Sequence, residues 1–225
     1  MGFDIHIAKT EEDLKQLYQL RYKVFVEELG RPEKYADHEL KEIKDPLDEI
    51  ADNMIAVDEG RIVGAMRFNF CSQIKDSLYK DVYRLDKFGS FYPDYISINT
   101  KLIVTSEKRH RNVALELAMT LYTNRVSKVN FNVIDCYPFM VPFYLKFGYR
   151  FYTSNVIHPE FGEVVSLVLV KDSDYLKRIG SPLAKLDVVK NDIDESAVIF
   201  YDKNFGHIHE QRKLEFSKEY QIQLT

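Results

Sequence analysis

The densest set of chemistry-bearing residues is Thr105-Ser106-Glu107-Lys108-Arg109-His110-Arg111-Asn112, between a strand-like run, Ile96–Val104, and a helix-like run with Ala114, Leu117, Ala118 and Leu121 on one face. A strand feeding a helix leaves backbone N–H groups pointing outward at the helix start, and the macrodipole adds positive potential there. With Lys108, Arg109 and Arg111 beside it, the turn reads either as a site for a diphosphate or phosphopantetheine phosphate, or as an ordinary basic helix start.

A second set centres on Arg21. Thr10 opens a helix with Glu11, Glu12 and Asp13 in its first turn; Leu14, Leu17, Tyr18, Arg21, Val24 and Phe25 follow at helical spacing, and Gly30 stops it. A guanidinium on an apolar face needs an anionic partner. Asp45 and Asp48, in the acidic stretch 31–52, are the candidates, and Arg67 is a further member. The set either shapes a substrate pocket or is a structural salt-bridge cluster. Residues 31–52 show no period and read as a long loop.

The remaining reactive residues carry less. Cys71 and Cys136 sit in apolar segments and read as buried, reduced thiols suited to a cytoplasm. His207 and His209 have no third ligand at recognisable spacing, so no metal is expected. His158 precedes Pro159 in a loop that either faces a substrate or is held by a hydrogen bond, and His110 belongs to the helix start.

Further elements must position these groups. Met54–Val57 and Ile62–Arg67 flank Asp58-Glu59-Gly60-Arg61 as a hairpin. Residues 72–90 read as mixed and partly helical. A helix is expected over His110–Lys128, a strand over Val129–Cys136, a short helix over Pro138–Phe147 ended by Gly148, strands at Tyr149–Tyr152 and Val164–Val170, and a short helix at Asp174–Ile179. The irregular alternation predicts an α/β domain with a mixed, mostly antiparallel sheet and helices on both faces, over residues 1–185. Residues 186–225 are more polar and read as a C-terminal appendage of unknown role, with a strand at Ala197–Tyr201.

A chain 45% hydrophobic with 15 Phe and 15 Tyr is a packed globule, and a net charge of −4 gives no reason to expect nucleic acid. No apolar run approaches the roughly 20 residues of a membrane span. Met1-Gly2-Phe3-Asp4 lacks the features of a signal peptide, and Ile5 and His6 stand where a myristoylation signal needs Ser or Thr.

Two motifs carry a family resemblance. Arg109-His110-Arg111-Asn112-Val113-Ala114 resembles the acyl-CoA signature of the GNAT acyltransferases, Arg/Gln-x-x-Gly-x-Gly/Ala, with Asn112 at the glycine position as the next best residue for positive φ. Val141-Pro142-Phe143-Tyr144-Leu145-Lys146-Phe147-Gly148-Tyr149 is similar to that family's Phe-Tyr-x-x-x-Gly-Phe helix and turn. The resemblance implies a donor site built by Leu102, Ile103, Val104, Arg109, His110, Arg111, Asn112, Val113 and Ala114, and a Tyr144 that protonates the leaving thiolate.

A narrower likeness follows. Arg21 to Gly30, Asp45-x-x-Asp48 and Gly64-x-x-Arg67 resemble the acyl-homoserine lactone synthases. Ala36-Asp37-His38-Glu39 and Leu176-x-x-Ile179-Gly180-Ser181-Pro182-Leu183 are closer to the long-chain N-acyl amino acid synthases. Arg31 stands where the lactone synthases have Trp, and Ile96–Lys101 lacks their strand glutamate, which disfavours lactone signalling. The resemblance implies transfer of a medium or long fatty acyl group, from acyl carrier protein or coenzyme A, to the amine of an amino acid or similar molecule. Lys101, Lys108, Arg109 and Arg111 are expected to face an acidic carrier. An α-amine has a reference pKa near 7.7–8.0, so a water held by Ser97 or Asn99 would suffice as base. The alternatives are an ordinary acetyl-CoA-dependent N-acetyltransferase and a catalytically degenerate acyl-binding module.

Overall fold

The computed structural model describes residues 2–75, 77–190 and 192–220. Its strands are β1 (Asp4–Ile7), β2 (Ala36–Asp37), β3 (Glu42–Ile43), β4 (Asp52–Asp58), β5 (Arg61–Phe70), β6 (Ile96–Val104), β7 (Phe131–Cys136), β8 (Arg150–Phe151), β9 (Val156–His158) and β10 (Gly162–Val170). Its α-helices are α1 (Glu11–Tyr22), α2 (Ser77–Val82), α3 (Val113–Asn124), α4 (Val141–Phe147), α5 (Ser173–Arg178) and α6 (Glu195–Glu219).

The main sheet runs β1-β4-β5-β6-β7-β10-β8, with β9 on the far part of β10. Every pairing is antiparallel except β6 with β7. Alternation along the strands separates two faces. Met54, Met66, Phe68, Ile134, Cys136 and Leu167 point to one core with α3 and α4. Ile96, Ile98, Phe131, Val133 and Val168 point the other way, under Tyr83 and Phe88. On that second face α1 covers the β4–β6 half through Leu17 and Leu20 against Ile55, Ala65 and Ile103.

Local sequence explains most of these boundaries. Thr10 and Asp13 form the capping box that starts α1. Past Tyr22 the helix widens into a π turn, Lys23–Glu28, before Gly30 at φ 62° ends it. Gly64 lets α3 lie directly on β5: a Cβ there would stand 2.7 Å from Val113 Cγ1 and 3.2 Å from the Ile103 carbonyl oxygen. Gly148, at φ 104°, caps α4.

Three expectations are corrected. The stretch 31–52 is not a bare loop: it holds the β2–β3 hairpin and a 3₁₀ turn, Pro46–Ile50, capped by Asp45. The helix expected from His110 starts only at Val113, because residues 106–112 are spent on a 3₁₀ turn and a reversal.

The third concerns the C-terminus. Residues 186–190 and 192–220, read as an appendage, pack against the main body, and Ala197–Tyr201 is the start of α6, not a strand. The buried residues Ala197, Tyr201, Phe205, His209 and Phe216 recur at helical spacing. The first three join one core and Phe216 the other, while α6 packs on β8 and covers that sheet edge. Tyr201 donates to the Phe151 carbonyl at 2.9 Å, and the Phe151 N–H donates to His209 Nδ1 at 3.2 Å. Exposed Ile199 and Leu214 and the polar residues between them hide this stripe from a linear reading. Residues 221–225 lie outside the described residues.

Truncating Phe216 therefore acts on the main core. Phe216→Ala should cost about 3–5 kcal/mol, whereas Leu214→Ala, 65% exposed, should stay within about 0.5 kcal/mol; urea midpoints of both variants check this.

Candidate active site

The sheet opens where β6 and β7 part. Their parallel register runs from Ile96↔Phe131 to Asn99↔Ile134 and stops, although β6 continues to Val104 and β7 to Cys136. The cause lies in β6: its register with β5 slips between Ala65↔Ile103 and Arg67↔Thr100, and Lys101 takes φ 53°. Such a bulge bends the strand and strengthens its twist. Beyond Asn99 and Ile134 the facing backbone edges are thus free to pair with an extended ligand.

On the α3/α4 face, the gap borders a cavity of about 20 Å³, walled by Asn99 and Leu102 of β6, Met66, Tyr122 and Leu169, and closed by Phe143, Tyr144, Phe147 and Leu183. Tyr144 packs edge-on against Tyr149, and burial raises its pKa well above the ordinary phenol value, so it stays protonated. Tyr149 donates to Asn132 Oδ1, and Asn132 Nδ2 donates to Ser97 Oγ at 2.8 Å and Asn99 Oδ1 at 3.1 Å. Ser97 is thus placed inside the paired region as an acceptor for Asn132. Asn99 alone of the two reaches the cavity wall.

The other face holds a buried ion network. Arg21, 1% exposed, donates to Asp48 and to Asn53 Oδ1, each at 2.7 Å. Arg67 donates through Nη1 to Asp45 at 2.5 Å and Asp48 at 3.4 Å, and through Nε to Thr100 Oγ1 at 2.9 Å. Lys101 Nζ lies 3.2 Å from Asp45 and 3.8 Å from Glu33. Burial alone would raise the Asp48 pKa, but the two guanidiniums outweigh it and hold it below the usual carboxylate value. Burial, with Arg67 and Arg21 nearby, lowers the Lys101 pKa. Phe25 lies beneath Lys101 Nζ and beside Arg31, whose guanidinium also lies over Tyr137 and Phe161.

The α3 N-terminus differs from the expected basic cradle. Asn112 has φ −74°, within reach of any residue, and its side chain makes no cap bond, so the first N–H groups of α3 are left uncapped. Lys108 pairs with Asp58 at 2.5 Å, and Arg109 pairs with Glu28 and donates to the Val104 carbonyl. Arg111 and His110 are exposed, and Arg111 makes no ion pair among the described residues. Val113 is fully buried while Ala114 is only partly so, and of Leu102, Ile103 and Val104 only Ile103 is buried. Lys101, expected to face an acidic carrier, is inside the ion network instead.

The structure brings the side chains of Arg21, Asp45, Asp48 and Arg67 together, and adds Glu33, Asn53, Asn132 and the place of Lys101, which the sequence does not reveal. The available signal was the set of polar residues, Asn53, Asn69, Asn99 and Asn132, standing in otherwise apolar strands. Cys71 and Cys136 are buried and free, and burial pushes the Cys71 thiol up to about 12. His209 is buried and bonded to β8 whereas His207 is exposed, so the two do not share a site. His158 stacks on Phe161 and its Nδ1 accepts from the Glu160 N–H at 3.1 Å. Among the described residues no group of three or more His, Cys, Asp or Glu is placed to hold a metal, and no helix is long and apolar enough to cross a membrane.

Removing one partner leaves its ion buried and unpaired. Asp48→Asn should therefore cost about 3–5 kcal/mol, read from denaturant midpoints. Because the Asp48 pKa is lowered in the folded state, its contribution is present above the unfolded carboxylate pKa near 3.8 and lost as pH falls through the folded value. The acid-unfolding arm of the variant should be correspondingly flatter.

Residues 20–119 match the sequence profile of the acetyltransferase (GNAT) domain. No curated protein matches the chain by sequence. Among solved structures, the chain is similar to BjaI, a CoA-dependent acyl-homoserine lactone synthase solved with MTA (16% identity, 88% of this chain and 100% of that one, TM-score 0.61). It is also similar to the acyl-homoserine lactone synthase LasI (15%, 79% and 94%, 0.61). A third similar structure is FeeM, an N-acyl amino acid synthase from uncultured soil microbes (10%, 75% and 90%, 0.58). The matched segment resembles a GNAT domain, and the architecture of the chain is a GNAT-like fold.

Proposed function

We propose that the protein transfers a fatty acyl group from a thioester, carried on coenzyme A or acyl carrier protein, to the amine of an amino acid or similar small molecule. The observation that carries this reading is the opened β6–β7 gap, with an apolar cavity on one side and a charged, buried network on the other. The pantetheine arm pairs with the free strand edges, and its phosphate sits at the uncapped α3 N-terminus, near Arg111. The thioester carbonyl lies in the gap, where Asn99 borders it. Tyr144, kept protonated by burial, gives its proton to the departing sulfur. The amine enters from the network face. Likeness to the solved synthases supports the fold on which this rests, and the buried free thiols suit a reducing compartment such as the cytoplasm.

Tyr144→Phe keeps the ring packing and removes the proton. Turnover should fall about tenfold or more with donor binding nearly unchanged, as measured by thiol release and calorimetry; unchanged turnover would remove Tyr144 from the chemistry. New N-acyl amino acids in lipid extracts of an overexpressing host, found by mass spectrometry, would name chain length and acceptor.

One observation favours a second reading, acetyl transfer from acetyl-CoA. A cavity of about 20 Å³ has room for roughly one water, so a long chain must displace Leu183 or the α4 phenylalanines. Rates with acetyl-, octanoyl- and dodecanoyl-CoA separate the two: a fatty acyltransferase favours the longer donors, and Leu183→Ala should increase that preference.

A further inference from the structure

A thioester-to-amine transfer must take a proton from the acceptor's ammonium, and β6 carries no acid between Ile96 and Val104. Space supplies what the strand lacks. The segment Arg31-Pro32-Glu33 lies across the β6–β7 gap: Arg31 Nε donates to the hydroxyl of Tyr137, the residue after β7, at 3.0 Å, and Glu33 reaches Lys101 in the β6 bulge at 3.8 Å. The Glu33 side chain is 2% exposed, and its Oε1 is buried with no hydrogen-bond partner among the described residues.

A buried carboxylate oxygen without a donor is costly, by more than the roughly 1–3 kcal/mol of a neutral group. The arrangement is stable in use only if something else brings an N–H to it. The partners it already has do not fill the role: Lys101 is drawn nearer to Asp45, at 3.2 Å, and Arg31 is held by Tyr137 and three aromatic rings.

We propose that Glu33 receives the acceptor's ammonium through Oε1 and acts as the general base of the transfer. This rests on the acyl-transfer reading above. One ammonium proton passes to Glu33 and on to solvent. The freed nitrogen forms the C–N bond with the carbonyl carbon as the C–S bond breaks, and the sulfur takes a proton from Tyr144. The second proton shed by nitrogen returns to Tyr144 through water, so the balance closes as amide plus thiol.

The surroundings suit a base. Burial raises the Glu33 pKa above the ordinary carboxylate value; Lys101 and Arg31 oppose this, and Glu160 and Asp45 add to it. Arg67 stands behind Asp45 and completes the charges facing the site.

The test uses the full chain with dodecanoyl-CoA or acetyl-CoA, whichever is turned over, and two kinds of acceptor: amino acids, which are ammonium ions near neutral pH, and hydroxylamine, which is not. Glu33→Gln should lower kcat/KM for amino acids about a hundredfold near pH 7, with recovery as pH rises and free amine appears in solution. The loss with hydroxylamine should be small, and donor binding by calorimetry should be intact. Glu33→Asp should restore part of the amino acid rate. Equal loss with both acceptors, or an unchanged pH profile, overturns the assignment of Glu33 alone. Wild-type protein that releases no thiol with any of these amines overturns the transfer reading and this one with it. Should Glu33→Gln not fold, the wild-type profile decides: an acid limb with amino acids that is absent with hydroxylamine once rates are expressed per unprotonated hydroxylamine supports Glu33, and identical limbs after that correction overturn it.

Discussion

The buried pairing of Arg21 and Arg67 with Asp48 and Asp45 is the constraint on which the rest of the molecule depends. Five separate pieces of chain meet in it: α1, the 3₁₀ turn after β3, β4 through Asn53, β5, and the bulge of β6 through Thr100 and Lys101. Buried ions are expensive to dehydrate, and each is tolerated only where its counter-charge is fixed in place. The network therefore holds the acidic stretch 31–50 against the sheet, and it also holds the bulge in β6. Without that bulge, β6 and β7 would stay paired to their ends, and no gap would open.

The same bulge divides the labour between the two sheet faces. Alternation places Asn99, Ile134 and Cys136 toward α3 and α4, and Thr100 and Asp135 toward α1 and Tyr83. One face is apolar apart from a few hydroxyls and amides, among them those of Ser97, Asn99, Asn132, Tyr144 and Tyr149. The other carries nearly all the buried charge. On the proposed reading, a thioester in the gap would have an apolar wall on one side for its acyl chain and a charged wall on the other for an amine, and neither substrate would have to cross the other's surroundings.

At the α3 end, electrostatics are more modest than a count of Lys and Arg implies. Glu28 and Asp58 neutralise Arg109 and Lys108, which leaves the uncapped helix start and Arg111 as the positive features. An anion bound there, as the proposed reading has it, would depend on oriented backbone N–H groups more than on side-chain charge, and Gly64 sets how close that helix start comes to the sheet.

What the residues alone determined about this protein is local. Helical spacing from Leu14 to Phe25, the hairpin around Gly60, the strand Ile96–Val104 and the Gly148 stop are all readable, because capping, turn chemistry and periodicity act over a few residues. Arg21 was legible as a buried cation, since its place on an apolar stripe demands an anion. Tertiary structure alone decided the rest. Lys101 turns inward because a bulge gives it positive φ, and Glu33 becomes a buried, half-satisfied carboxylate because its loop is tied to Tyr137 and the network. Helix α6 joins the core because a sparse stripe from Ala197 to Phe216 finds the β8 edge. Each of these outcomes is set by contacts between residues far apart in the chain, on which spacing along it has no bearing.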